Sequence, residues 1–182
     1  MIRSTKAKIG ILVAALALGF AAVAYAANQN QLVSEATATK ATFIKTDPGL
    51  GQLFQTAPGY AVFPSIGKGA VGIGGAHGEG IVFQQGRPVG KATLSQLTVG
   101  AQIGGQAYSE VILFETPEAL AKFMQGHMAF SGQVSAVALK AGASADARYR
   151  EGVMVFTATK GGLMVEASIG GQKFAFEPFV TR

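Results

Sequence analysis

Few side chains in this sequence are of the kinds that run reactions. It has two histidines, His77 and His127, ten Asp plus Glu, and no cysteine. Without cysteine there is no disulfide framework, thiolate zinc site, iron–sulfur cluster or cysteine nucleophile. His77-Gly78-Glu79 has the H-x-E spacing of the zinc deaminases, but their second half supplies two cysteine ligands, which are missing here. A His₂Glu set from His77, Glu79 and His127 has no HExxH spacing to assemble it. Gly67-Lys-Gly-Ala-Val-Gly72 satisfies GxGxxG, yet Ile73 to Gly80 cannot start a helix, and Ala92 stands where a dinucleotide site needs an acid. No G-x-S-x-G elbow occurs either. The expectation is a protein without catalytic residues, metal or cofactor.

Binding chemistry is better represented. Lys40 and Lys45 flank Phe43 and Ile44, an arrangement that can lay apolar side chains into a bilayer interface with cations at head-group level. The competing reading of the same residues is a helix that covers the open face of a sheet. Arg148-Tyr149-Arg150 sits in an expected loop with Lys140 nearby, where a phosphate group can be gripped by forked, charge-assisted hydrogen bonds. An ordinary solvated loop has the same sequence. Lys68, inside the glycine-rich stretch, is a further cation of this kind.

The overall charge misleads until the N-terminus is set apart. Arg3, Lys6 and Lys8 precede an apolar run from Ile9 to Val23 that ends in Ala24-Tyr25-Ala26-Ala27, the pattern of a secretory signal cut after Ala26. An uncleaved anchor is the alternative, but the run is shorter than the ~20 residues of a spanning helix. Residues 1–26 are thus expected to be a signal peptide and residues 27–182 one domain, periplasmic or secreted. Of the formal charge of +5, the leader holds three, leaving +2. That is too little, and too scattered, for nucleic-acid binding.

Three helices are expected: Asn28 to Lys45; a short one after Asp47-Pro48 carrying Leu50, Leu53, Phe54 and Ala57; and one capped by Thr116 with Pro117 in its first turn. Leu120, Phe123, Met124 and, at its end, His127 should face inward on the third. Strands are expected at Tyr60 to Phe63, Ala70 to Gly74, Gly80 to Gln84, Leu97 to Ile103, Tyr108 to Glu115, Gln133 to Leu139, Val153 to Lys160, Leu163 to Ile169 and Lys173 to Phe176. Turns are expected at Gln85-Gly86-Arg87-Pro88 and Lys160-Gly161-Gly162. Strand following strand implies an α+β fold, a mostly antiparallel sheet with two or three helices packed on it.

Glycine is the outlier of the composition, with 25 residues, seven of them between Gly67 and Gly80. Ile-Gly-Gly recurs at Ile73, Ile103 and Ile169, and Val99-Gly-Ala-Gln-Ile-Gly-Gly-Gln106 parallels Val165-Glu-Ala-Ser-Ile-Gly-Gly-Gln172. Glycine weakens strands, so its repeated use calls for bulges, bends or close approaches that forbid a Cβ. A strongly curved, barrel-like sheet supplies all of these.

Ala61-Val-Phe-Pro-Ser-Ile-Gly-Lys-Gly-Ala-Val-Gly-Ile-Gly-Gly-Ala-His-Gly-Glu-Gly80 resembles the opening of the SYLF domain. Thr98-Val-Gly-Ala-Gln-Ile-Gly-Gly-Gln106 is similar to its S-x-G-x-Q-x-G segment, and Lys160-Gly-Gly-Leu-Met-Val-Glu-Ala-Ser168 to its late K-G-L-x-x-G-x-S hairpin. Together these cover about Leu32 to Phe176. The resemblance implies a lipid-binding module for phospholipids, with the amphipathic segment before Val62-Phe63-Pro64 engaging the membrane, and actin binding in some eukaryotic members. It departs from the family at Gly90-Lys-Ala-Thr-Leu94, where a tryptophan is common, and at Glu166, which replaces glycine.

The expected function is therefore an exported, non-enzymatic phospholipid-binding protein. Its contacts are expected from Lys40, Phe43, Ile44, Lys45, Lys68, Arg148 and Arg150, and its partner is a membrane surface. The alternative is a structural or protein-interaction module that docks another envelope protein.

Overall fold

The computed structural model describes residues 26–69, 74–98, 107–130, 134–159 and 169–179. Residues 26–46 are helical (α1). After them come α2 (Gly49–Thr56), β1 (Gly59–Gly69), β2 (Gly74–Gln84), β3 (Arg87–Thr98), β4 (Ala107–Phe114), α3 (Pro117–Met124), β5 (Ala136–Ala138), α4 (Ala143–Asp146), β6 (Val153–Thr159) and β7 (Gln172–Pro178). The seven strands form one sheet in the order β5-β6-β4-β1-β2-β3-β7, antiparallel throughout except for the parallel β5–β6 pair. The fold is α+β, as expected, with four helices among the described residues. The sheet is open, so the barrel-like expectation is met only in part.

Its curvature can be read from side chains. The Phe63 ring on β1 lies 6.0 Å from the Phe174 ring on β7, although β2 and β3 stand between them. In a flat sheet that interval is about 14 Å. Residues on the inner side of the curl form one core, with Phe63, Ile66, Leu94, Ile112, Phe114, Val155 and Phe174, closed over by Leu120 and Phe123 of α3 and by Phe130. The outer side carries a second core, in which Tyr60, Val62, Ile81, Phe83, Val111 and Phe156 meet α1, α2 and the α4 segment.

The glycine ladder serves this curl. A methyl group on Gly80 would lie 2.6 Å from Phe63 Cδ1 and from the Val62 carbonyl oxygen; one on Gly78 would lie 2.7 Å from Ile66 Cγ1. Their backbones are ordinary strand, so what requires glycine is space on the crowded inner side. Proline in central β1 is tolerated for a related reason. Pro64 falls where both of the strand's ladders shift register, and its carbonyl accepts a hydrogen bond from Ser109 Oγ at 2.8 Å.

Local signals held where capping or turn chemistry set them. Thr116 Oγ1 accepts from the Ala119 amide at 3.2 Å, with Pro117 in the first turn and Glu118 beside the helix N-terminus. Gln85 and Gly86 make the β2–β3 turn with φ of 50° and 78°, as a tight hairpin demands. Strand β3 was not expected before Leu97, because Lys91, Thr93 and Ser95 break its apolar character; they occupy its outward face. Most of the expected strands at Leu163 to Ile169, Ala70 to Gly74 and Leu97 to Ile103, and the Lys160-Gly161-Gly162 turn, lie outside the described residues. His127 is a correction: α3 ends at Met124, and His127 lies exposed in the following segment instead of facing the core.

Candidate functional site

The seven candidate residues part company in the structure. Phe43 is 1 % exposed and belongs to the outer core; Ile44 packs against the same core, partly buried. α1 therefore lays its apolar stripe on the sheet, and Phe43 is a core residue, not part of an exposed apolar face. This corrects the placement expected from the amphipathic pattern, which looks the same whether the stripe meets lipid or a sheet. Lys40 is also engaged inward. Its Nζ donates to Tyr60 Oη at 2.7 Å and lies 4.6 Å from the Tyr60 ring centre and 4.9 Å from that of Phe54.

Lys45, Arg148 and Arg150 are exposed. Lys45 lies about a hundred positions from the two arginines in sequence, yet one buried carboxylate draws their segments together. Asp47 Oδ2 accepts from the Ser144 amide at 2.6 Å, while its Oδ1 accepts from the Gly49 amide at 3.1 Å. The corner carrying Lys45 thus sits against the one-turn helix that leads into Arg148 and Arg150. Burial works against the Asp47 charge, but the Ser144, Gly49 and Gly142 donors outweigh it and hold the carboxyl below the usual range. Arg148 Nη1 donates to the Ala145 and Ala147 carbonyls at 3.1 and 2.8 Å, which fixes the guanidinium at the end of α4. Lys68 lies on β1 opposite Ala76; its side chain is outside the described part.

His77 and Glu79 share the outer face of β2, where His77 is exposed and Glu79 pairs with Lys91 at 3.1 Å. Among the described residues, no group of three or more His, Asp or Glu is placed to hold a metal ion.

A polar cluster that sequence reasoning missed lies inside the curl. Glu110 on β4 has no exposed surface, and Gln172 on β7 and Thr157 on β6 have none either. Gln172 Nε2 donates to Glu110 Oε2 at 3.0 Å and to Tyr108 Oη at 3.3 Å. Glu110 Oε1, Thr157 Oγ1 and Gln172 Oε1 are buried without a hydrogen-bond partner among the described residues. Burial pushes the Glu110 carboxyl up to about 8, against the smaller downward pull of Gln172, and Tyr108 is raised by burial and by Glu110. One signal was available in the sequence: Tyr108 and Glu110 alternate with apolar residues on the face of β4 that also carries Ile112 and Phe114.

A family model described as Las17-binding protein actin regulator, Ysc84, matches residues 95–178. Residues 95–178 belong to the SYLF family. The SYLF match takes in the inner polar cluster, Arg148 and Arg150, and leaves out Lys40, Phe43, Ile44, Lys45 and Lys68. Beta cell expansion factor A of Aeromonas veronii is 31 % identical over 137 residues, 74 % of this chain and 51 % of that protein. The chain thus spans about half the length of this curated relative. SYLF is a family of binding domains, linked to lipid and to actin. No described helix is long and apolar enough to cross a membrane.

Proposed function

We propose that the protein is an exported, non-enzymatic SYLF module that binds phospholipid at a membrane surface. The observation that carries this reading is the basic corner: Lys45, Arg148 and Arg150 are exposed on two segments that the Asp47–Ser144 hydrogen bond joins, with Asp146 and Glu151 exposed on the same segment as the arginines. Family membership supports lipid as the class of partner, and the Arg3 to Ala27 pattern supports export. Phe43 plays no direct part, because it is committed to the core. Binding is electrostatic in the first place, with guanidinium and ammonium groups meeting head-group phosphates.

Flotation of the protein with vesicles of phosphatidylcholine and phosphatidylglycerol tests it. Binding at low salt that weakens at high salt is expected, as is its loss in the triple variant Lys45→Glu, Arg148→Glu, Arg150→Glu with unchanged circular dichroism. Flotation unaffected by these changes would remove the basic corner from the reading. Absence of binding to any vesicle would leave the protein-docking alternative, checked by pull-down from envelope extracts. Export is tested by the mass of the protein recovered from the producing cell, expected to lack residues 1–26.

A further inference from the structure

The clasp between β4 and β7 answers to no part of the lipid-binding reading. Strands β1, β2 and β3 lie between these two, a span of about 19 Å in a flat sheet. Only the curl lets Gln172 reach Glu110 at 3.0 Å and Tyr108 at 3.3 Å. These bonds cross the mouth of the curl, and beside them the segment ending at Phe130 is tied to β7 by backbone bonds from Phe130 to Gln172 and from Gly171 to Phe130. We propose that Glu110 and Gln172 form a pH-sensitive clasp: the neutral carboxyl holds β7 over the inner face, and loss of its proton releases β7 and exposes the apolar interior.

The surroundings make ionisation costly. Facing Glu110 are Phe63 of β1, its register partner, Thr157 of β6, Gln172 of β7 and, on its own strand, Tyr108. Gln96 of β3 pairs with Gln172 and points to the same interior. Tyr108 is the titratable one among them, and its ionised form would add a second negative charge. Lys173, next to Gln172, is exposed, as is His127 on the segment leading to Phe130. The buried charged residues among those described are Glu110 and Asp47, and Asp47 lies on the outer side. Among the described residues, a carboxylate formed here meets one amide donor and no cation, which a buried charge does not tolerate.

The direction follows from linkage. Glu110 titrates higher when folded than when unfolded, so the stability of the clasped state is complete below the ordinary carboxyl range and is lost as pH rises toward about 8. Above that, the folded chain itself carries the misplaced charge.

The test follows anilinonaphthalene sulfonate fluorescence, a reporter of exposed apolar surface, from about pH 6 to about pH 9.5. In the native protein it should rise several-fold through a reversible one-proton step, with far-ultraviolet circular dichroism retained. Glu110→Gln, which copies the neutral acid, should stay flat. Gln172→Met removes the clasp without adding charge and should show raised fluorescence already at the lower pH. Carboxyl-resolved NMR of the native protein gives an independent reading. Equal pH profiles for the native protein and Glu110→Gln, or a Glu110 carboxyl titrating in the ordinary range, would overturn the proposal.

Discussion

Asp47 Oδ2 accepts the backbone N–H of Ser144 at 2.6 Å, tying the corner between α1 and α2 to a helix 97 residues further along. The carboxylate, 3 % exposed, serves two helix starts at once, since its other oxygen caps Gly49. Asp47→Ala leaves both amides without that partner and should cost about 2 kcal/mol in urea unfolding. Because the folded carboxyl titrates below its unfolded value, this stability is present above the ordinary aspartate range and is lost as pH falls through the folded value. The difference between native and variant midpoints should therefore shrink in acid.

Phe43 and Lys45 stand two positions apart with opposite fates. Phe43→Ala empties part of the outer core and should cost about 3–5 kcal/mol. Lys45→Ala, at an exposed site, should stay within about 0.5 kcal/mol of the native protein. Thermal or urea unfolding separates the two outcomes plainly.

Lys40 tests a subtler arrangement, a cation held between two rings and a hydroxyl. Lys40→Met keeps most of the stem but loses the Tyr60 hydrogen bond and the charge over Phe54 and Tyr60. A loss of about 1 kcal/mol is expected. Tyr60→Phe should reduce the effect of Lys40→Met in a double-mutant cycle.

Two glycines of β1 and β2 should respond in opposite ways to the same change. Gly80→Ala drives a methyl group into the Phe63 ring and the Val62 carbonyl, and about 1–3 kcal/mol of destabilisation should follow. Gly67→Ala meets nothing within 4 Å and should be neutral or mildly stabilising. Denaturant midpoints of the pair measure the curl directly.

What was legible in the sequence was local chemistry. Thr116-Pro117, Asp47-Pro48 and Gln85-Gly86 act through backbone groups a few residues away, so their types were enough to place two helix starts and a hairpin. The glycine ladder indicated a bent sheet because many missing Cβ atoms need a common cause. The partner of an apolar stripe was not legible: Leu32, Phe43 and Ile44 read equally as a membrane face and as a cover for the sheet, and only the long-range packing decides. Glu110 escaped for the same reason. Its partners come from β7 and β6, and no spacing rule connects positions 110, 157 and 172.

The position of β7 also bears on how the chain reaches its final shape. Its hydrogen-bonding partner, β3, is made about eighty residues earlier. Until β7 emerges, β3 presents an unpaired edge, a template for wrong pairing with another chain. The neighbouring pairs β1–β2 and β2–β3 are hairpins that form quickly, whereas docking β7 waits on a long loop closure and should set the pace of folding. Lys91, whose ammonium lies 3.9 Å from the Glu177 carboxylate in the finished sheet, puts a charge on that exposed strand meanwhile and makes it less adhesive.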